Sequence, residues 1–164
     1  MLSVQNLEVV YQDVILVLRG VSFEVPKGQI VSLLGSNGSG KTTALRAITG
    51  LLDTQNGDIT KGKIFIEDEE ITNAQPSKIV QLGIAQVLEG RRIFSELTVR
   101  ENLRLGGFTA NESIDENIDR VFNLFPVLKD RDKNIAGYMS GGEQQMLAIG
   151  LSLIHISEPT RRLV

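Results

Sequence analysis

The chain has 164 residues, a net charge of −3 and 41% hydrophobic residues. That is one domain by size, with enough apolar side chain for a core. The mildly acidic balance argues against a nucleic-acid partner, and the lack of cysteine excludes disulfides and thiolate metal sites. The N-terminus has no basic region leading into an apolar run, and no stretch approaches the roughly 18 apolar residues of a membrane span.

Residues 2–34 fall into short apolar pieces at 4–11, 14–18, 21–25 and 30–34. These predict strands parted by turns at Gln12-Asp13, Arg19-Gly20 and Pro26-Lys27-Gly28. Residues 35–43 then read Gly35, Ser36, Asn37, Gly38, Ser39, Gly40, Lys41, Thr42, Thr43. This fits the phosphate-binding pattern G-x-x-x-x-G-K-[ST], and it stands between an apolar strand pattern and a helical one. Glycines at 35, 38 and 40 let the backbone curl so that successive N–H groups point inward, at the positive end of a helix. In that setting Lys41 reaches the β- and γ-phosphates of a nucleotide and the Thr42 hydroxyl ligates Mg²⁺. The bland alternative, a glycine-rich turn with an accidental lysine, does not account for the flanks.

Residues 42–52 predict a helix, ended by a polar turn over 53–58. Residues 63–67 alternate as a half-buried strand, and Pro76 opens a short helix over 77–81. Residues 84–88 are apolar enough for a buried strand. Thr98 caps a helix running to Leu105, with Glu101 completing a capping box. Apolar residues at 114, 118, 121, 122 and 125 have helical spacing, and Pro126 follows. The order gives an α/β core around the phosphate loop, a β-rich N-terminal layer, and a helical insert over about 76–138.

Residues Ser140, Gly141, Gly142, Glu143 and Gln144 open a further helix. Ser140 and Glu143 form a second capping box. The two glycines weaken the helix they start, so a different advantage is required of them. Bare N–H groups at a helix N-terminus can approach a phosphate closely.

With GSNGSGKTT and SGGEQ in this order, the chain resembles the nucleotide-binding subunit of ATP-binding cassette (ABC) transporters over about residues 2–150. Residues 89–94, EGRRIF, most resemble the smaller ATP-binding subunit of branched-chain amino-acid importers. The resemblance implies an ABC-type P-loop NTPase fold with an N-terminal antiparallel β layer and a helical insert. It implies ATP and Mg²⁺ as ligands. It assigns Tyr11 to adenine stacking, and residues 140–144 to the signature that meets ATP held by a partner subunit. It implies a second nucleotide-binding subunit and membrane-spanning permease subunits as partners, no nucleic acid, and a peripheral position on the cytoplasmic face of the plasma membrane. The insert, with residues 97–103, is the part implied to face the permease.

By itself Tyr11 is also an ordinary strand aromatic. Gln86 lies inside an apolar strand pattern and reads as structural. Counting back from Phe94, the lid position of the family falls on Glu89, a glutamate where the family has glutamine. A carboxylate there can hold Mg²⁺ through water. Arg91 and Arg92 read equally as surface charge or as lid residues, and His155, the only histidine, as incidental.

After Gly150 the likeness ends. The family's apolar strand closes on an aspartate-glutamate pair that holds Mg²⁺ and polarises the attacking water. Here LIHISEPT carries Ser157 in the aspartate's place, which leaves Glu158 as the candidate catalytic carboxylate. Residues 151–164 thus read as an atypical tail, either not native to the family or a degenerate form of that strand. Residues 1–150 read as a partial nucleotide-binding domain, incomplete at its C-terminus. Two functions stay open: the ATPase subunit of a branched-chain amino-acid importer, or a nucleotide-binding module or fragment that does not hydrolyse. For lack of the acidic pair and of a downstream switch histidine, the chain is expected to show no turnover.

Overall fold

A computed structural model describes residues 1–88, 90, 92–107 and 113–154. The chain divides into two compact units, 1–82 and 83–164.

The first unit is built on a four-stranded antiparallel sheet in the order β2-β1-β3-β4. Its strands are β1 (Leu2–Tyr11), β2 (Ile15–Val25), β3 (Gly57–Ile66) and the two-residue β4 (Glu69–Glu70). The expected turn at Gln12-Asp13 is a tight hairpin. Both residues have positive φ, 52° and 58°, and Val14 N–H donates to Tyr11 O. Helices α1 (Lys41–Thr49) and α2 (Pro76–Gln81) complete the unit. Gly50 stops α1 in the left-handed conformation, and its N–H returns to the carbonyls of Ala47 and Arg46. Val4, Leu7, Val9, Leu18, Ala47, Ile48, Ile64, Ile71 and Ile79 supply the buried apolar surface.

Three sequence expectations are corrected. Arg19-Gly20 is not a turn between two strands. β2 runs unbroken from Ile15 to Val25, and Gly20, at φ 78°, forms a crease beside Asn6 of β1, at φ 48°. Residues 30–34 and 84–88 are not strands. A strand exists only as one side of a ladder, and among the described residues neither run joins one. β1 already gives its two edges to β2 and β3, and Ile30 and Leu34 stand 99% and 87% exposed.

The second unit is helical: α3 (Val99–Gly106), α4 (Ile114–Leu124), α5 (Pro126–Asp130) and α6 (Gly141–Leu153). Its core gathers Val99, Leu103, Ile118, Val121, Phe122, Leu128, Met139, Leu147 and Ile154. A Cβ at Gly150 would stand 2.7 Å from Val121 Cγ1 and 3.3 Å from Leu103 Cδ2, so the absence of a side chain there lets α6 approach α4 and α3. Helix α6 continues past that point. Ile154 is 1% exposed, and its carbonyl accepts from Asn117 Nδ2. The boundary expected at Gly150 therefore falls within a packed helix.

Gly62 of β3 tests the crease. It sits at φ 93°, and a Cβ there would come within 2.5 Å of the carbonyl oxygens of both Gln5 and Asn6. Gly62→Ala is expected to destabilise unit 1 by about 2–3 kcal/mol. Denaturant unfolding should show the lower midpoint; an unchanged midpoint would mean that the crease relaxes freely.

Candidate functional site

The phosphate loop connects the apolar run 30–34 to α1. Ser39 N–H donates to Ser36 O at 3.2 Å, which closes the turn. Gly38 and Gly40 take φ values of 82° and 89°. Gly40 is also the N-cap of α1, with no side-chain cap. A Cβ on it would meet Leu18 Cδ2 at 2.5 Å, so strand β2 and loop require glycine there. The first intrahelical bond runs from Ala44 N–H to Gly40 O at 2.9 Å. That leaves the N–H groups of Lys41, Thr42 and Thr43 without an intrahelical acceptor.

Lys41 folds back over the loop. Its Nζ donates to Gly35 O and Ser36 O, both at 2.8 Å, and to Ser39 Oγ at 3.5 Å. Residues 36–39 and Thr42 are exposed, and Thr43 is buried. Bare N–H groups, a cation held by uncharged oxygens and an accessible hydroxyl make a cradle for phosphate oxygens. The Thr42 hydroxyl on its rim fits a hard cation that takes oxygen ligands.

Tyr11 ends β1 opposite Gly57. Its hydroxyl donates to Thr43 Oγ1 at 3.4 Å, and a Cβ on Gly57 would stand 2.6 Å from the ring. The strand pair thus sets Tyr11 beside the first turn of α1. Tyr11, the loop and Thr42 are brought together within unit 1. Glu89, Arg91, His155, Ser157 and Glu158 lie outside the described residues.

In unit 2, two helices begin with the same capping box and end up differently. At α3, Thr98 N–H donates to Glu101 Oε2, and Glu101 N–H to Thr98 Oγ1. Val99 N–H reaches Asn134 O and Arg100 N–H reaches Asp132 O, so all four N-terminal donors are satisfied. At α6, Ser140 N–H donates to Glu143 Oε2 at 2.8 Å and Glu143 N–H to Ser140 Oγ at 3.3 Å. The N–H groups of Gly141 and Gly142 have no acceptor among the described residues. Nothing lies within 4 Å of where a Gly142 Cβ would be. The Ser140 hydroxyl is held within the box, bonded to the Glu143 backbone and carboxylate. Helix α3 is closed; α6 presents an open anion-binding end.

Sequence reading missed two supports of this end. Arg131 Nε pairs with Glu143 Oε1 at 2.6 Å. Asn102 is fully buried and spends its amide on residues 94–98. Its spacing from Val99 and Leu103 put it on the buried face of α3, the signal that could have revealed it. Nearby, a cleft of about 710 Å³ is lined by Val87, Leu88, Ile93, Ser95, Gly137 and Gln144, among others.

The family model described as ABC transporter matches residues 18–158. The high-affinity branched-chain amino acid transport ATP-binding protein BraG of Pseudomonas aeruginosa is 48% identical over 145 residues, 88% of this chain and 60% of its own length. A probable branched-chain amino acid transport ATP-binding protein, LivF, of Archaeoglobus fulgidus is 36% identical, over 90% of this chain and 63% of its own length. This chain thus spans about three fifths of these relatives. A nucleotide-free ATP-binding cassette from an ABC transporter superposes with a TM-score of 0.78 at 30% identity, over 94% of this chain and 65% of that one. The ADP conformation of another such cassette gives 0.79 at 29%, with the same coverage.

Hydrogen bonds from Ser140, with the nearby Arg131 charge, hold the Glu143 carboxyl below its ordinary range. A lowered folded-state value stabilises the fold above the unfolded-state pKa and ceases to do so as pH falls through the folded one. The stability advantage of the wild-type chain over Glu143→Gln should therefore be full at pH 7 and shrink as pH drops below the carboxylate range. Paired urea titrations from pH 7 to pH 3 check this. A constant gap would show that the charge contributes nothing.

Proposed function

Because this chain belongs to the ABC transporter family, we propose that it is the ATP-binding subunit of an ABC importer that takes up branched-chain amino acids, coupling ATP binding and hydrolysis to transport. The observation that carries the reading is the cradle over 35–43, with Lys41 held across it by Gly35 O and Ser36 O. BraG and LivF, named for branched-chain amino-acid transport, support the substrate class.

In this function Lys41 leaves the loop carbonyls for the phosphate oxygens of ATP, while the N–H groups of the first turn of α1 take the rest of their charge. Tyr11 offers its ring to adenine. Thr42, and Glu89 through water, would hold Mg²⁺, which would offset the charge that develops on the transferred phosphate. The open end of α6, Ser140, Gly141 and Gly142 with Glu143 and Gln144 behind them, meets the ATP of a second cassette subunit. Permease subunits form the other contact, and the protein sits peripherally on the cytoplasmic face of the membrane. Among the described residues, no helix is long and apolar enough to cross a membrane.

Lys41→Ala is expected to weaken Mg-ATP binding about ten- to a hundredfold, the worth of a charge-assisted contact to phosphate. Calorimetry on folded protein checks it; equal affinity would remove the reading.

One observation favours a second reading. Ser157 stands where the family carries the Mg²⁺-holding aspartate, a neutral hydroxyl in place of a charge. The chain as it stands is then a nucleotide-binding module that does not hydrolyse. Purified 1–164 should release no phosphate above buffer, with Lys41→Ala and Glu158→Gln run beside it. A wild-type rate near about one per second, abolished by both substitutions, would make Glu158 the catalytic carboxylate and overturn this second reading.

A further inference from the structure

Asn102 is an uncharged polar side chain sealed in the core of unit 2, 0% exposed. An amide in that position must be hydrogen-bonded or it destabilises the fold. Its Oδ1 accepts from Phe94 N–H at 2.8 Å. Its Nδ2 faces the carbonyls of Phe94 at 2.9 Å, Thr98 at 3.0 Å and Leu97 at 3.4 Å. One side chain therefore serves both backbone groups of Phe94, as a neighbouring strand would, and closes residues 94–98 into a fixed loop.

That loop bonds onward. Gly137 N–H donates to Ser95 O at 2.8 Å, and Ala136 N–H to Leu97 O at 2.9 Å. The same turn is gripped from the other side by Gln144, whose Nε2 reaches Ala136 O and Gly137 O, both at 3.3 Å. Gln144 stands in the first turns of α6, directly behind the open N–H groups of Gly141 and Gly142. The contacts form an unbroken chain: Asn102, loop 94–98, turn 136–137, Gln144, helix end.

We propose that Asn102 is a positioning residue for the signature turn: acting through loop 94–98 and turn 136–137, it fixes where the N–H groups of Gly141 and Gly142 stand. This rests on the reading above, in which those groups meet a nucleotide phosphate. It adds that their aim is set from the buried face of α3 and not by the capping box alone. A box can hold Ser140 and Glu143 to each other, but it does not fix the helix end relative to its surroundings. The same chain gives loop 94–98, which carries the half-exposed Phe94 and lines the cleft with Ser95, a direct mechanical route to the phosphate-binding end.

The test uses amide NMR and hydrogen exchange on the 164-residue chain, read at Gly141 and Gly142 and at residues 94–98. Asn102→Ala removes the clamp. Gly137→Ala breaks the chain elsewhere without touching a buried amide, because its Cβ would stand 2.8 Å from Ser95 O. Ile118→Val loosens the core outside the chain of contacts. We expect both breaking variants to shift the Gly141 and Gly142 amide resonances and to speed exchange about tenfold at both ends of the chain. Ile118→Val should speed exchange by one common factor across unit 2 and leave those two resonances in place. If Asn102→Ala does not fold, Gly137→Ala decides alone. Loosening confined to 94–98, with the glycine amides unmoved, overturns the proposal, as does an equal shift in Ile118→Val. No nucleotide enters this readout, so it stands or falls apart from the phosphate reading. Loss of that reading is seen separately, in unchanged Mg-ATP affinity of Lys41→Ala.

Discussion

Every backbone N–H and C=O taken from water needs a partner, and the two units of this chain are two answers to that demand. In unit 1 the answer is a ladder: β1 lies between β2 and β3 and satisfies both of its edges. Among the described residues of unit 2 strand pairing is limited to the bridge Thr98–Ile135, and the answer is a set of side chains and turn carbonyls aimed at helix ends. Among the described residues, no buried side-chain nitrogen or oxygen lacks a partner. The places where the demand goes unmet then stand out. Among the described residues they include the first turn of α1, the first turn of α6 and the run 30–34. The first two are the anion-binding ends of the proposed function. The third is an apolar strand pattern without a ladder.

The contrast between α3 and α6 shows how little separates a closed helix start from an open one. Both begin with a serine or threonine and a glutamate three residues on. At α3 the chain returns over 132–134 to fill the two remaining donors. At α6 it does not, and the two positions are glycines. A Cβ at Gly142 would meet no neighbouring atom within 4 Å. Glycine there therefore answers no packing need; it keeps the approach to the N–H groups clear.

Much of this was legible in the residues. The loop 35–43, the two capping boxes, the hairpin at Gln12-Asp13 and the helix over 114–124 follow from local chemistry that acts within a few residues. What escaped depends on partners distant in sequence. An apolar run such as 30–34 or 84–88 states that it wants burial, not which strand will pair with it. Arg19-Gly20 has the composition of a turn, and only the neighbouring strand makes it a crease. Asn102 signals its buried face by its spacing from Val99 and Leu103, but not that loop 94–98 takes up its amide. Glu143 was legible as a cap, but its pairing with Arg131 spans the turn between α5 and α6 and has no local signature.

The crease in the sheet of unit 1 has a consequence for how that sheet assembles. Three left-handed residues, Asn6, Gly20 and Gly62, sit side by side on three strands, with φ values of 48°, 78° and 93°. A flat antiparallel sheet tolerates a two-residue slip, because alternation is preserved and each side chain keeps its face. Here such a slip would carry a glycine off the crease and press a residue bearing a Cβ against the carbonyls of Gln5 and Asn6. Misaligned pairings are thereby disfavoured sterically before side-chain packing can judge them. The three positions act as alignment pins, and β1, β2 and β3 can lie together in one registration only.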